Sequence, residues 1–368
     1  MRIFVSEFVC GGGWPRQDAI AGSLAVEGRA MLNAVIEDLS QISDVKVVTT
    51  WDSRAGPKPY RNARTITIAE PVGMFVAFSR ALRTSRRPQA LIDWFEELSA
   101  KCDATLLIAP ETDDVLGNLS RRIELDGRTL LSSSSAAVRL CADKLLLASH
   151  FESAGIRTIP THSLEWQYAS QLAASKHCLH FPLVVKPRDG AGSQNTYLVR
   201  SWSEFEWLRA SLGTYVKPRM SVWQPYVAGR AVSVALMIPA TGDEAEVFPV
   251  AEQSLSDDGR FFYKGGRIPA RGVDQASIQA AALAACRRVP GLCGYVGVDL
   301  IIPADEQSAP VVVEINPRLT TSYLGYRALA VSNLAERMLP SQAQRPIEWR
   351  AGVVEFDAAG NTQFASIS

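Results

Sequence analysis

The sequence predicts an open parallel α/β sheet first and a largely antiparallel α+β region after it. Strand and helix signals alternate through residues 1–135, whereas from residue 136 onward strands follow one another with hairpin-like connections. At 368 residues the chain is also too long for one ordinary domain, so two or three are expected.

In the first part, "MRIFVSEF", "VKVVTTWD" and "ATLLIAPE" read as strands. Between the first two, Leu24, Met31, Val35 and Leu39 recur at helical spacing, with Ser23 as the N-cap. Ligands on such sheets sit beyond the carboxyl ends of the strands. Two of those ends carry polar residues here, Glu7 beside Gly11–Gly13 and the "PETDD" of Pro110–Asp114. Next, "SSSSAAVRLCADKLLLASHFESAG" opens on serines and becomes one helix, with Gly155 as its stop.

The strands of the second part are "FPLVVKPRDGAGSQNTYLVR", "SVWQPYVAGRAVSVALMI", "EAEVFPVAEQSL", "GYVGVDLIIP" and "PVVVEINPR". The helix "DQASIQAAALAACRRVPG" interrupts them, and "GVVEFDAAGNTQFAS" is a last hairpin closing over Gly360-Asn361. Internal repeats and low-complexity linkers are absent from the sequence.

Lys+Arg and Asp+Glu both number 38, so no net field draws the chain to nucleic acid or anionic lipid. Six scattered cysteines without a CxxC pair read as small buried hydrophobes in a reducing compartment. No uninterrupted apolar run approaches the ~20 residues of a membrane span. These readings describe a soluble, cytoplasmic protein with small-molecule partners; a homodimer is left open.

Three successive glycines after a strand raise the question of a phosphate loop. A dinucleotide fingerprint would need a third glycine where Arg16 stands, and an acidic residue about 20 residues on. The acid at the next strand end, Asp52, is roughly twice as far away. The phosphates therefore go elsewhere. Gly11, Gly12 and Gly13 form either a substrate loop, with Glu7 and Glu111 as its carboxylates, or a structural turn.

The main constellation lies at the other end, in "GYVGVDLIIPADEQSAPVVVEINPR". Folding that stretch about Pro303–Pro310 sets Asp299 opposite Glu314, and period-two alternation puts Asn316 on the same face. The flanking VGVDLII and VVVEI runs read as buried, where unpaired carboxylates are costly. Two carboxylates and an amide oxygen on one face suit a hard divalent cation, Mg²⁺ or Mn²⁺. Upstream, Lys186 ends a buried strand just before a Gly190/Gly192 loop whose N–H groups can line a triphosphate, and Lys144 follows the serine run.

In this order the pieces "DKLLLASHFESAGIRTIPT", "VVKPRDGAGS", "WQPYVAGRAVSV", "GVDLII" and "VVEINPR" resemble the ATP-grasp superfamily of carboxylate–amine ligases. The resemblance implies an ATP-grasp fold behind a Rossmann-like pre-ATP-grasp domain. It implies a substrate domain at 1–135, a small lid at 136–225, a metal-binding subdomain at 226–345 and a hairpin tail at 346–368. Lys144, Lys186, Gly190, Gly192 and Ser193 would contact ATP, and the hinge at Gln224, Tyr226 and Val227 would read adenine. Asp299, Glu314 and Asn316 would hold the metal, with Arg318 and Lys186 facing the transferring phosphoryl group. Two positions depart from the family: the hinge opens with Gln224 instead of glutamate, and Ala231 stands where a ribose-binding acid is expected.

Through "EFVCGGG", "SLAVEGRAML", "APETDDVL", "AVRLCADK" and "EINPRLTTSYLG" the whole chain is similar to the tyramine–L-glutamate ligases of methanofuran biosynthesis and their bacterial homologues. That implies ATP-dependent phosphorylation of a carboxylate, glutamate's γ-carboxylate, followed by attack of an amine such as tyramine. Another acid–amine pair, or a nucleotide-binding protein without turnover, are the alternatives. Arg267, Arg271 and Arg327 are candidates for the α-carboxylate, and Ser256–Pro269 for a mobile segment near the acceptor. Three motifs are set aside: "KHCLH" is too tightly spaced for a zinc site, Ser132–Ser135 lacks the glycines of a nucleophile elbow, and Trp202 and Trp207 read as packing.

Overall fold

The computed structural model describes residues 1–14, 18–68, 89–164, 179–212, 221–240, 244–305, 308–340 and 346–366. Its first sheet comprises β1 (Arg2–Glu7), β2 (Lys46–Asp52), β3 (Arg64–Ile68), β4 (Ala104–Ile108) and β5 (Thr129–Leu130). All pairings are parallel, in the order β3-β2-β1-β4-β5. Beyond their first residues β1 and β2 are buried, and β4 is buried throughout, which is why these runs are apolar without alternation. The helix Ser23–Ser40 buries Met31, Val35 and Leu39 as its spacing requires. Its N-cap is Gly22, at φ 86°, and not Ser23: the chain enters the helix through a left-handed turn open to glycine.

The predicted long helix is two, Ser135–Ala142 and Lys144–Ser153. Asp143 leaves helical geometry at ψ 97° and its side chain accepts from the amides of Leu145 and Leu146, so it caps the second helix. Gly155, at φ 71°, follows the second helix as expected. Ser134 caps the first through the amide of Ala137, which accounts for the serine run.

A small antiparallel sheet follows, of β6 (His162–Leu164), β7 (Leu183–Pro187), β8 (Tyr197–Val199) and β9 (Ser221–Pro225), ordered β6-β9-β7-β8. The large sheet contains β10 (Gly229–Ile238), β11 (Glu246–Val247), β12 (Ala251–Leu255), β13 (Tyr263–Ile268), β14 (Gly294–Pro303), β15 (Val311–Asn316), β16 (Gly352–Asp357) and β17 (Thr362–Ser366). Its order is β15-β14-β10-β12-β13-β16-β17, with β11 on β10. The strands of "SVWQPYVAGRAVSVALMI" thus part into different sheets, and the bend between them is the hinge. Six of the fourteen residues of Ser256–Pro269 form β13, held between β12 and β16. The last hairpin forms over Gly360, at φ 95°, and extends the large sheet through β16 instead of standing apart.

One apolar cluster runs from the first domain into the large sheet, joining Ile3, Val35 and Leu106 to Tyr323, Tyr326 and Phe356. The other face of the large sheet packs Val234, Val298 and Leu300 on Ile278 and Ala282 of the helix Gln275–Arg287. Trp202 packs edge-on against Phe181 and Phe205, whereas Trp207 is exposed. Among the described residues no helix is long and apolar enough to cross a membrane, and Cys10, Cys102, Cys141, Cys286 and Cys293 are free thiols. His177 and Cys178 of "KHCLH" lie outside the described residues.

Candidate active site

The β14–β15 hairpin pairs Asp299 with Glu314 and Gly297 with Asn316, so the three polar side chains share one face. Asn316 Nδ2 donates to Asp299 Oδ2 at 2.9 Å, and Gln253 Nε2 to Oδ1 at 2.8 Å. Burial, then the neighbouring Glu314, pushes the Asp299 carboxyl up to about 7. Burial also works against ionised Glu314, but Lys144 and Lys186 outweigh it and hold that carboxyl below its ordinary value. Among the described residues no group of three His, Cys, Asp or Glu side chains gathers around one point. The available donor set is therefore two carboxylates and an amide, a hard-oxygen set that leaves room for water and phosphate ligands. Two adjoining half-buried carboxylates fit a divalent cation that would relieve their repulsion.

Lys186 is 8% exposed, and burial lowers its ammonium to about 8 against the pull of Glu314. Lys144 Nζ lies 3.7 Å from Glu314 Oε2 and donates to the Gly190 carbonyl at 3.3 Å. The loop after β7 turns through Gly190, Gly192 and Ser193 at φ 148°, 69° and 56°. It closes on the first domain: Asp189 accepts from the Asp113 amide at 2.9 Å, and a Cβ on Gly192 would come within 3.2 Å of Leu24. Cross-strand register places Gln224 and Lys186 on one face of the small sheet. Gln224 is buried and donates to Thr161 Oγ1 at 2.7 Å; Tyr226 is at the exposed hinge, its ring centroid 6.4 Å from that of Phe261, and Val227 is half-buried.

Arg318 reaches from the end of β15 to the first domain. Its Nε and Nη2 grip Glu111 Oε1 and Oε2 at 2.8 and 2.9 Å, across 207 residues of sequence. Glu111 is 4% exposed, so it is the partner of Arg318 and not an open acceptor carboxylate. Glu7 is also committed: its oxygens accept from the amides of Val9 and Cys10 at 3.0 and 2.5 Å. The glycines answer to packing. Gly11, Gly12 and Gly13 are buried; a Cβ on Gly11 would meet Thr50 Oγ1 at 2.9 Å, one on Gly13 would meet the Phe8 ring at 2.4 Å, and Gly12 has φ 104°. These contacts fit the structural-turn alternative.

The arginines proposed for an α-carboxylate are engaged elsewhere too. Register puts Arg267 beside Glu252 and Glu355, on the face of the large sheet opposite Asp299, where it donates to the Pro269 carbonyl at 2.6 Å. Arg271 is exposed beside Glu355. Arg327 grips Asp38 at 2.7 Å, and Tyr323 donates to the same carboxylate at 2.6 Å, tying the large sheet's flanking helix to the first domain.

Sequence reading passed over Gln253, Tyr263, Thr321 and Glu27. Glu27 carried a signal: it follows Leu24 by three and precedes Met31 by four, so a carboxylate falls within the apolar stripe of its helix. Thr321 Oγ1 donates to Glu27 Oε2 at 3.0 Å, and burial raises this carboxyl against the pull of Arg318. Tyr263 is half-buried, and the charges of Asp299 and Glu27 add to burial in raising its phenol.

Residues 141–322 match the family model of the ATP-grasp domain, and residues 45–138 that of the pre-ATP-grasp domain. A tyramine–L-glutamate ligase of Methanocaldococcus fervens is 23% identical over 330 residues, covering 90% of this chain and 92% of the relative. A D-alanine–D-alanine ligase of a Synechococcus strain is 26% identical over 269 residues, covering 68% of this chain and 79% of the relative. The N5-carboxyaminoimidazole synthetase of Staphylococcus aureus, solved with ADP, superposes with a TM-score of 0.69 at 17% identity, covering 96% of this chain and 82% of that one.

Proposed function

The chain belongs to the ATP-grasp family of ADP-forming ligases, with a pre-ATP-grasp domain ahead of the catalytic one, and from this premise we propose that it activates the γ-carboxylate of L-glutamate and joins it to tyramine. The observation that carries the chemistry is the half-buried Asp299/Glu314 pair flanked by Lys144 and Lys186. The substrate pair rests on the similarity to tyramine–L-glutamate ligase along nearly the whole chain.

A carboxylate does not acylate an amine, because its leaving group would be oxide; phosphorylation by ATP supplies a better one. Phosphoryl transfer asks for positioning and charge neutralisation more than covalent help. Lys144 and Lys186 bring two ammonium groups to the triphosphate, and the amides of the Gly190–Ser193 loop line it. Asp299, Glu314 and Asn316 would hold Mg²⁺ or Mn²⁺, which when bound neutralises phosphate charge. Arg318, held in plane by Glu111, keeps N–H donors to spare for the acyl phosphate. The glycine loop, which meets the first domain through Asp189 and the Asp113 amide, would help to keep out water that hydrolyses that intermediate.

The test is ADP release with Mg²⁺, ATP, L-glutamate and tyramine, each substrate omitted in turn, with mass detection of product. ADP that requires both substrates, with a product mass equal to their dehydrated sum, supports the proposal. ATP binding without ADP release under these conditions overturns the substrate pair.

A further inference from the structure

A ligase of this kind must bind its amine as an ammonium and strip a proton from it before attack. Free amines of this basicity are protonated at neutral pH, and an ammonium has no lone pair to give. A carboxylate at the meeting point of the two domains suits both tasks, and Glu7, Glu111 and Glu27 are candidates for it. Glu7 has both oxygens on its own loop's amides, and Glu111 has both on Arg318. Glu27 is different. Only Oε2 is engaged, by Thr321, while Oε1 has no partner among the described residues and is not sealed from solvent.

We propose that Glu27 is the residue that receives the acceptor's ammonium group and takes its proton as the amine attacks, an inference that rests on the ligase reading above. Its surroundings are those of a reacting centre. Thr321 stands three residues beyond Arg318, fixing the carboxylate beside the strand end that supplies the phosphoryl-facing guanidinium. The phenol of Tyr263 feels the charges of both Asp299 and Glu27, which with burial raise it. The charged and titratable groups whose fields reach Glu27 or Tyr263 there are Arg318, Asp299 and Tyr295. Burial raises the Glu27 carboxyl, which increases its affinity for the proton it has to accept.

The step balances. The ammonium N–H passes to Glu27 Oε1, leaving a neutral amine and a carboxylic acid. The nitrogen lone pair then forms the C–N bond at the acyl carbonyl. The C–O bond to phosphate breaks with its electron pair, and the second nitrogen proton leaves with the phosphate. Glu27 returns its proton to solvent.

Hydroxylamine separates this role from carboxylate activation, because it is uncharged at neutral pH and needs neither an ammonium site nor a base. Glu27→Gln keeps a carbonyl oxygen for Thr321 but cannot take a proton. With ATP, Mg²⁺ and L-glutamate, the variant is expected to form hydroxamate at the wild-type rate. With tyramine it is expected to form amide roughly 100-fold more slowly or worse, recovering as rising pH frees the amine. Wild-type amide formation by Glu27→Gln, or equal loss of hydroxamate and amide, overturns the assignment. Absence of hydroxamate from the wild-type enzyme overturns glutamate activation itself, which distinguishes the two failures.

Discussion

Glu7 shows what burial does to a single carboxylate. It lies 3% exposed at the end of β1, and burial raises its carboxyl from an ordinary 4.5 to about 7 despite the amides of Cys10 and Val9. A carboxyl whose folded pKa exceeds its unfolded one holds an extra proton in the native state between the two, so stability falls as pH rises through that window. The window here runs from pH 4.5 to about 7, and the loss is at most about 3 kcal/mol. Glu7→Gln cannot ionise and is expected to lower the pH-dependence of Tm over that range; an unchanged slope contradicts the assignment. The same burial made Asp299 and Glu314 legible, because carboxylates inside VGVDLII and VVVEI needed a reason. Glu7 and Glu111 drew attention for equally good cause, but a sequence does not say which amides or guanidinium will occupy an oxygen.

The turn Val9–Gly13 is held together by contacts too close for side chains. Gly13→Ala would set a methyl group 2.4 Å from the Phe8 ring and 2.8 Å from the Phe8 carbonyl. It is expected to destabilise the fold by about 1–3 kcal/mol, seen as a lower Tm, with the KM for the amine unchanged. A raised KM at unaltered Tm would favour the substrate-loop reading. Strands with continuous or alternating apolar runs, such as β1, β4, β10 and β14, were readable because burial writes that pattern directly. β13 was not, since "YKGGRI" puts glycines where side chains would mark the period, and Cβ atoms at Gly265 and Gly266 would strike the neighbouring strands. The break at Asp143 was hidden because an aspartate caps a new helix without interrupting the apolar spacing.

The first domain and the large sheet share a core and are fastened by charged contacts that no local pattern reveals. Asp38 meets Tyr323 and Arg327 almost 290 residues away, and Glu111 meets Arg318. Asp38→Ala leaves a buried phenol without its acceptor and a half-buried guanidinium with Glu37 alone. The expected cost is about 3 kcal/mol, with limited proteolysis cutting between the domains sooner than in the wild type; an unaltered Tm and cleavage pattern would show that the apolar cluster alone joins them. The order of the parts was legible, since each strand, loop and lysine is local. How the first domain's carboxylates would meet Arg318 was not, because that depends on packing between distant segments.

The most direct test of the chemistry follows oxygen. L-Glutamate labelled with heavy oxygen in its γ-carboxylate is supplied with unlabelled ATP, Mg²⁺ and tyramine, and the released phosphate is weighed. Activation through an acyl phosphate predicts that each phosphate carries one labelled oxygen taken from the carboxylate. Amide formation with unlabelled phosphate would contradict it.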